Sequence, residues 1–66
     1  MVEKELFRER LIRRPEVEKL TGLKKSSIYM KSKDGTFPKP LKIGPKAVAW
    51  RLGSILDWID SRPEAT

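Results

Sequence analysis

From Leu11 onward, apolar residues fall into short patterns separated by prolines and glycines. Leu11-Ile12-Arg13 is a β-tolerant triplet suited to an edge strand. Pro15 opens the first helical pattern. Its fixed φ and missing N–H fit the first position of a helix, and Glu16 and Glu18 favour the positive end of the helix dipole. Val17 and Leu20, three apart, give that helix one apolar stripe. Thr21-Gly22 stops it, Gly22 supplying a left-handed conformation, and Leu23 folds back towards Val17 or Leu20. A second helix starts at Lys24 or Lys25 and runs to about Lys33, where Asp34-Gly35 breaks it. Ile28 is its clear anchor, with Tyr29 or Met30 lending a second contact, while Lys31 and Ser32 one turn on are polar. A helix that buries so little of itself is either poorly stable or turned mainly towards something polar.

The period then changes from helical to alternating. Phe37-Pro38-Lys39-Pro40 forces an extended connection, because residues before proline avoid the helical region. Leu41 and Ile43 alternate with Lys42, Gly44-Pro45-Lys46 turns, and Val48 and Trp50 alternate with Ala47, Ala49 and Arg51. This is the pattern of a β-hairpin with one buried face. Leu52-Gly53-Ser54 leads into a last helix with Gly53 or Ser54 as N-cap and Ile55, Trp58 and Ile59 as its stripe. Upstream, Val2 and Leu6 are four apart in a segment of alternating charge, which reads either as a helical turn or two or as a disordered end. Residues 1–10 are thus an N-terminal segment, 11–62 one domain and 63–66 a tail. Two helices across a tight turn, followed by a hairpin, make a mainly α domain with a small β-hairpin, a winged helix-turn-helix.

Charge says what such a scaffold would meet. Lys24, Lys25, Lys31, Lys33, Lys39, Lys42, Lys46 and Arg51 stand against Asp34 alone, so the stretch from Thr21 to Arg51 is more positive than the whole chain at +6. Beyond Leu52 carboxylates outnumber cations, which leaves the last helix outside the basic surface. A basic surface concentrated in this way on a small domain points to a polyanion, and the helix-turn-helix pattern to double-stranded DNA. With no cysteine and no histidine in 66 residues, disulfides, zinc fingers, thiol nucleophiles and imidazole bases are excluded. No Ser, Lys and Asp constellation gives a nucleophile with its base, so neither an enzyme, a cofactor nor a small-molecule substrate is expected. No apolar run approaches a membrane span, and MVEKELFRER lacks the hydrophobic segment of a secretory signal, so a cytoplasmic chain is expected.

An ordered set of residues carries a family resemblance. Leu11-Ile12-Arg13, Pro15-Glu16-Val17, Thr21-Gly22-Leu23, Ser26, Ile28 and Tyr29, Gly35, Phe37-Pro38-Lys39-Pro40, Gly44-Pro45, Ala47-Val48-Ala49-Trp50, Ile55 and Trp58-Ile59 together resemble the AlpA family. These are small prophage-associated transcriptional regulators related to phage excisionases and to the DNA-binding part of MerR-type regulators. The resemblance covers roughly residues 11 to 61. It implies a winged helix that binds promoter or attachment-site DNA, with Lys25 to Lys33 as recognition helix and Lys42 to Lys46 as wing. An integrase or further DNA-bound copies are the protein partners it implies. The sequence departs from the family pattern at Lys24, often a small polar residue, and at Met30, Lys31 and Ser32, commonly an arginine followed by apolar residues.

The candidate DNA-binding residues are Lys24, Lys25, Ser26, Ser27, Tyr29, Met30, Lys31, Lys33, Lys42, Lys46 and Arg51. The first four stand where a helix start presents side chains and free N–H groups to phosphate or base edges. Tyr29 either hydrogen-bonds a phosphate or covers Ile28 and Phe37. Lys42 and Lys46 would grip backbone or enter the minor groove. Arg51 either reaches phosphate or pairs with a carboxylate such as Asp57. Trp50 and Trp58 lie on apolar stripes and are assigned to the core rather than to base stacking. Two alternatives share this surface: an excisionase that bends attachment-site DNA, and a module whose basic face inhibits an acidic protein partner.

Overall fold

The strand expected to close the hairpin is the centre of a three-stranded antiparallel sheet. In a computed structural model describing residues 2–65, with side-chain surroundings from Leu6 onward, the order is α1 (Val2–Glu9), β1 (Leu11–Ile12), α2 (Arg14–Thr21), α3 (Lys25–Asp34), β2 (Leu41–Gly44), β3 (Ala47–Arg51) and α4 (Leu52–Asp60). The sheet runs β1-β3-β2, with Ile12 opposite Trp50 and Leu41 opposite Ala49. The expected pairing of Val2 with Leu6 and the last tail residue, Thr66, fall outside the described side chains.

Helix ends follow the local chemistry. Gly22 and Gly35 close α2 and α3 at φ of 76° and 88°, where any side chain would be strained. The Gly22 N–H donates to the Glu18 carbonyl, and the Thr21 hydroxyl to the Val17 carbonyl. At the end of α3, Asp34 accepts from both the N–H and the hydroxyl of Thr36. Those two hydrogen bonds hold its carboxyl below the ordinary carboxylate range, the hydroxyl bond first.

Ile12, Val17, Ile28, Phe37, Trp50, Leu52 and Ile55 form the core, so every element from β1 to α4 except β2 contributes a buried anchor or, for Phe37, the connection between α3 and β2 does. Leu23, Val48, Leu56, Trp58 and Ile59 pack against it. The Pro38 carbonyl ties two of these pieces together. It accepts from Trp50 Nε1 at 2.9 Å and from the Ser32 hydroxyl at 3.2 Å. Trp58 Nε1 likewise donates to the Thr36 carbonyl at 2.7 Å, with its ring edge-on to Phe37 at 4.7 Å. The connection after α3 is therefore fixed by indole donors as well as by its prolines.

Three expectations need correcting. Ser32 is not an outward polar residue: it is 6% exposed, because its hydroxyl has the Pro38 carbonyl as partner and can be buried without an unmet hydrogen bond. Ile43 does not share the buried face of Leu41. Lys42 pairs with Val48 and Gly44 with Ala47, so Ile43 is the extra residue of a bulge and stands 45% exposed. Nor does Gly53 or Ser54 cap α4. The helix begins at Leu52 straight out of β3, and the Leu52 N–H donates to the Arg10 carbonyl at 2.8 Å. Gly53 serves another purpose, since a Cβ there would lie 3.1 Å from both the Cβ and the carbonyl oxygen of Arg8. That close approach seats α1 on α4, where Arg8 also bridges to Asp57 at 2.7 Å.

Candidate nucleic-acid interface

A helix turns about 100° per residue, so the burial of Ile28 and Ser32 decides what the rest of α3 presents. Ser26, Tyr29, Met30 and Lys33, at positions i, i+3, i+4 and i+7, form the opposite stripe, and all four are exposed. Met30 is the most open at 67%, while Tyr29 is 40% exposed and so neither inserted under Ile28 nor free of the surface. Ser27 and Lys31, four apart, sit on the flank and are partly covered. Lys24 and Lys25 are exposed at the helix start.

Lys24 holds the N-cap position in extended backbone and makes no side-chain cap bond. The first-turn amides are consequently left for solvent or an anion. A Lys24→Ser chain is expected to be more stable by about 1 kcal/mol, since serine can accept from the first-turn N–H groups. In a domain of this size that would raise Tm by about 4–8 °C in a calorimetric melt. An unchanged or lower Tm would mean the amides already have a partner.

The hairpin offers a second projection. Lys42 on β2 and Lys46 in the turn are both exposed. Arg51 stands at the other end of β3, roughly 16 Å from Lys46 by the rise of a strand. Its guanidinium donates to Glu9 at 3.0 Å, while Asp57 is the partner of Arg8. The structure thus brings Tyr29 and Lys46 together and leaves Arg51 at the far edge.

The ion pairs among the described residues do not involve the candidate lysines. Those found among the described residues are Arg8 with Asp57, Arg14 with Glu18 and Arg51 with Glu9. Among the same residues, Lys24, Lys25, Lys31, Lys33, Lys42 and Lys46 have no carboxylate within pairing distance. Between the two projections lies a cleft of about 410 Å³ lined by Arg13, Arg14, Pro15, Tyr29, Lys46 and Val48. Arg13 and Arg14 escape a reading of the sequence that follows only the lysine-rich stretch; their one signal is two adjacent cations at a proline-marked helix start. Arg14 donates through Nε to Glu18 at 2.9 Å. That bond, with the neighbouring Tyr29 phenol second, raises its pKa above the ordinary guanidinium value.

A second concavity, of about 580 Å³, lies where Phe37, Pro38, Trp58 and Arg62 meet, on the side held by α4. Arg62 covers the Trp58 ring there, 4.2 Å from its centroid. No group of His, Cys, Asp and Glu among the described residues is arranged to hold a metal ion. No helix among them is long and apolar enough to cross a membrane.

Comparison with known proteins places this geometry in context. A family model described as prophage CP4-57 regulatory protein (AlpA) matches residues 10–63. An uncharacterized protein, ORF88, of Enterobacteria phage P4 is 38% identical over 58 residues, which is 88% of this chain and 66% of that protein. The chain therefore spans just under two thirds of that relative's length. No solved structure matches it.

Proposed function

The chain belongs to the AlpA family of phage regulatory proteins, and from that premise we propose that it binds double-stranded DNA as a winged helix-turn-helix regulator. In this reading α3 enters the major groove with Ser26, Met30 and Lys33 towards the bases, and Tyr29 at the edge of that stripe. Lys24, Lys25 and the open first-turn amides hold phosphate beside it. The β2–β3 turn is the wing, with Lys42 and Lys46 on the adjacent backbone or minor groove. The observation that carries the reading is the placement of the candidate lysines: those of α3 and of the hairpin stand without carboxylate partners among the described residues, on two projections that flank one cleft.

The mechanism divides the labour by residue type. Lysine and backbone N–H contacts to phosphate supply affinity through counterion release and set the register of α3. The outward stripe of α3 supplies discrimination. Lys33 can donate to guanine, Met30 can touch a thymine methyl, and each mismatched pair would cost about 1–3 kcal/mol. A single domain of this size has a small footprint, so tight occupancy requires adjacent copies or a DNA-bound partner such as an integrase.

Selection of bound sequences from a random duplex pool, followed by anisotropy titration of the enriched site at several salt concentrations, tests the reading. An enriched motif bound with a log–log salt slope of roughly −4 to −5, as for about five neutralised phosphates, is the expected result. A pool without enrichment, or binding indifferent to salt, would overturn it. Placing the enriched site in an excision assay with an integrase separates the regulator from the excisionase, because one surface can serve both uses.

A further inference from the structure

We propose that the cleft between α2, α3 and the β2–β3 turn seats a single phosphodiester group of the bound duplex, with Arg13 and Lys46 closing on it from opposite sides and the Tyr29 hydroxyl as a third donor. This inference rests on the DNA-binding reading above and adds Arg13, and Arg14 behind it, to the residues that reading uses.

Three segments far apart in sequence meet at this one place: the start of α2, the middle of α3 and the tip of the hairpin. No carboxylate lines the cleft. Glu18, the acid that contacts this lining through Arg14, already accepts from Arg14 Nε at 2.9 Å. That ion pair holds the Arg14 guanidinium in place beside Tyr29 and turns what would be a third mobile cation into a fixed wall. Arg13, the N-cap of α2, makes no side-chain cap bond, and its side chain is exposed. Lys46 is exposed in the turn opposite. Pro15 and Val48 complete the lining with apolar surface. Hydrogen bonds from Arg13 and Lys46 to an anion would be charge-assisted, and so stronger than neutral ones.

The position of the cleft says which anion. A helix in the major groove and a wing on the next groove straddle one strand of the duplex, and what lies between them is sugar–phosphate backbone. A phosphate held there would fix the depth and angle of α3 without reading any base. Sequence preference would be unaffected by its loss, and affinity would fall for every duplex alike.

Because two cations share one phosphate, their removal should not behave as the loss of two separate contacts. Arg13→Gln and Lys46→Gln variants, and the double variant, are titrated with a generic duplex across a salt series. The expected result is that the double variant lowers the salt slope by about one and weakens binding about tenfold at 0.1 M salt, with the second substitution adding little to the first. A slope lowered by about two, or left unchanged, overturns the shared seat while leaving DNA binding by α3 intact. Inorganic phosphate alone is titrated in parallel, read by the NMR signals of the Tyr29 ring and the Arg13 side-chain N–H. Shifts confined to these groups, with the Tyr29 shift abolished in Arg13→Gln, support the seat even if no duplex binds, in which case the DNA-binding reading falls and the anion site stands. Phosphate that shifts nothing in the cleft, beside a duplex that leaves the same signals unmoved, overturns the seat alone.

Discussion

A Trp50→Ala chain is expected to be unfolded at room temperature. Trp50 is fully buried, at the centre of the core and of the sheet. Truncating a buried tryptophan to alanine costs about 3–5 kcal/mol, the sum of lost burial and the cavity left behind. A domain of this size without disulfide or metal has only about 3–5 kcal/mol of stability from its core. The substitution also removes one of the two donors to the Pro38 carbonyl, which then keeps Ser32 alone. Trp50→Phe separates the two effects. It retains much of the volume and loses the indole bond, so it should stay folded with a loss of about 1–2 kcal/mol, most of it from the hydrogen bond and the smaller ring. Far-UV circular dichroism against temperature checks both variants. A cooperative melt of Trp50→Ala well above room temperature would show that the core does not depend on this side chain.

How much of this was legible in the chain depends on whether the cause was local. The ends of α2 and α3 could be read because Gly22, Gly35 and Pro15 act within a residue or two of themselves. The hairpin turn at Pro45 and Lys46 could be read for the same reason. The start of α4 could not. Its first amide is satisfied by the Arg10 carbonyl, and nothing near Leu52 advertises that distant acceptor. Ile43 looked like a core residue because alternation assumes an unbroken ladder, and the bulge is visible only once β2 is set against β3. Ser32 looked like surface because the carbonyl that accepts its hydrogen bond belongs to a loop six residues on, folded back under α3. The candidate interface shows the same divide. Its lysines could be named as a list, whereas the pairing of Arg51 with Glu9 and the meeting of Arg13 with Lys46 needed α1 and the hairpin in place.

Reversing the charge of Lys25 and Lys42 together is expected to weaken duplex binding at least about 100-fold at 0.1 M salt and to lower the salt slope by about two. The two lysines lie on different projections, one at the start of α3 and one on β2, so they would neutralise different phosphates and their losses should add. Each phosphate contact contributes about one unit of slope, which is about tenfold in affinity at this salt. Glutamate in place of lysine goes further than neutralisation, because it sets a carboxylate against the same phosphate. The fold should not notice: both side chains are exposed and neither is in an ion pair with a described residue. Such surface changes typically alter stability by no more than about 0.5 kcal/mol. A melt of the double variant within a few degrees of the parent therefore accompanies the expected loss of binding. The same pair discriminates DNA from an acidic protein partner. With polyglutamate as competitor, a DNA-binding surface should be displaced only weakly, because a flexible carboxylate chain lacks the phosphate spacing that α3 and the hairpin straddle. Equal displacement by polyglutamate, with the double variant still binding duplex as the parent does, would transfer this basic face from nucleic acid to protein.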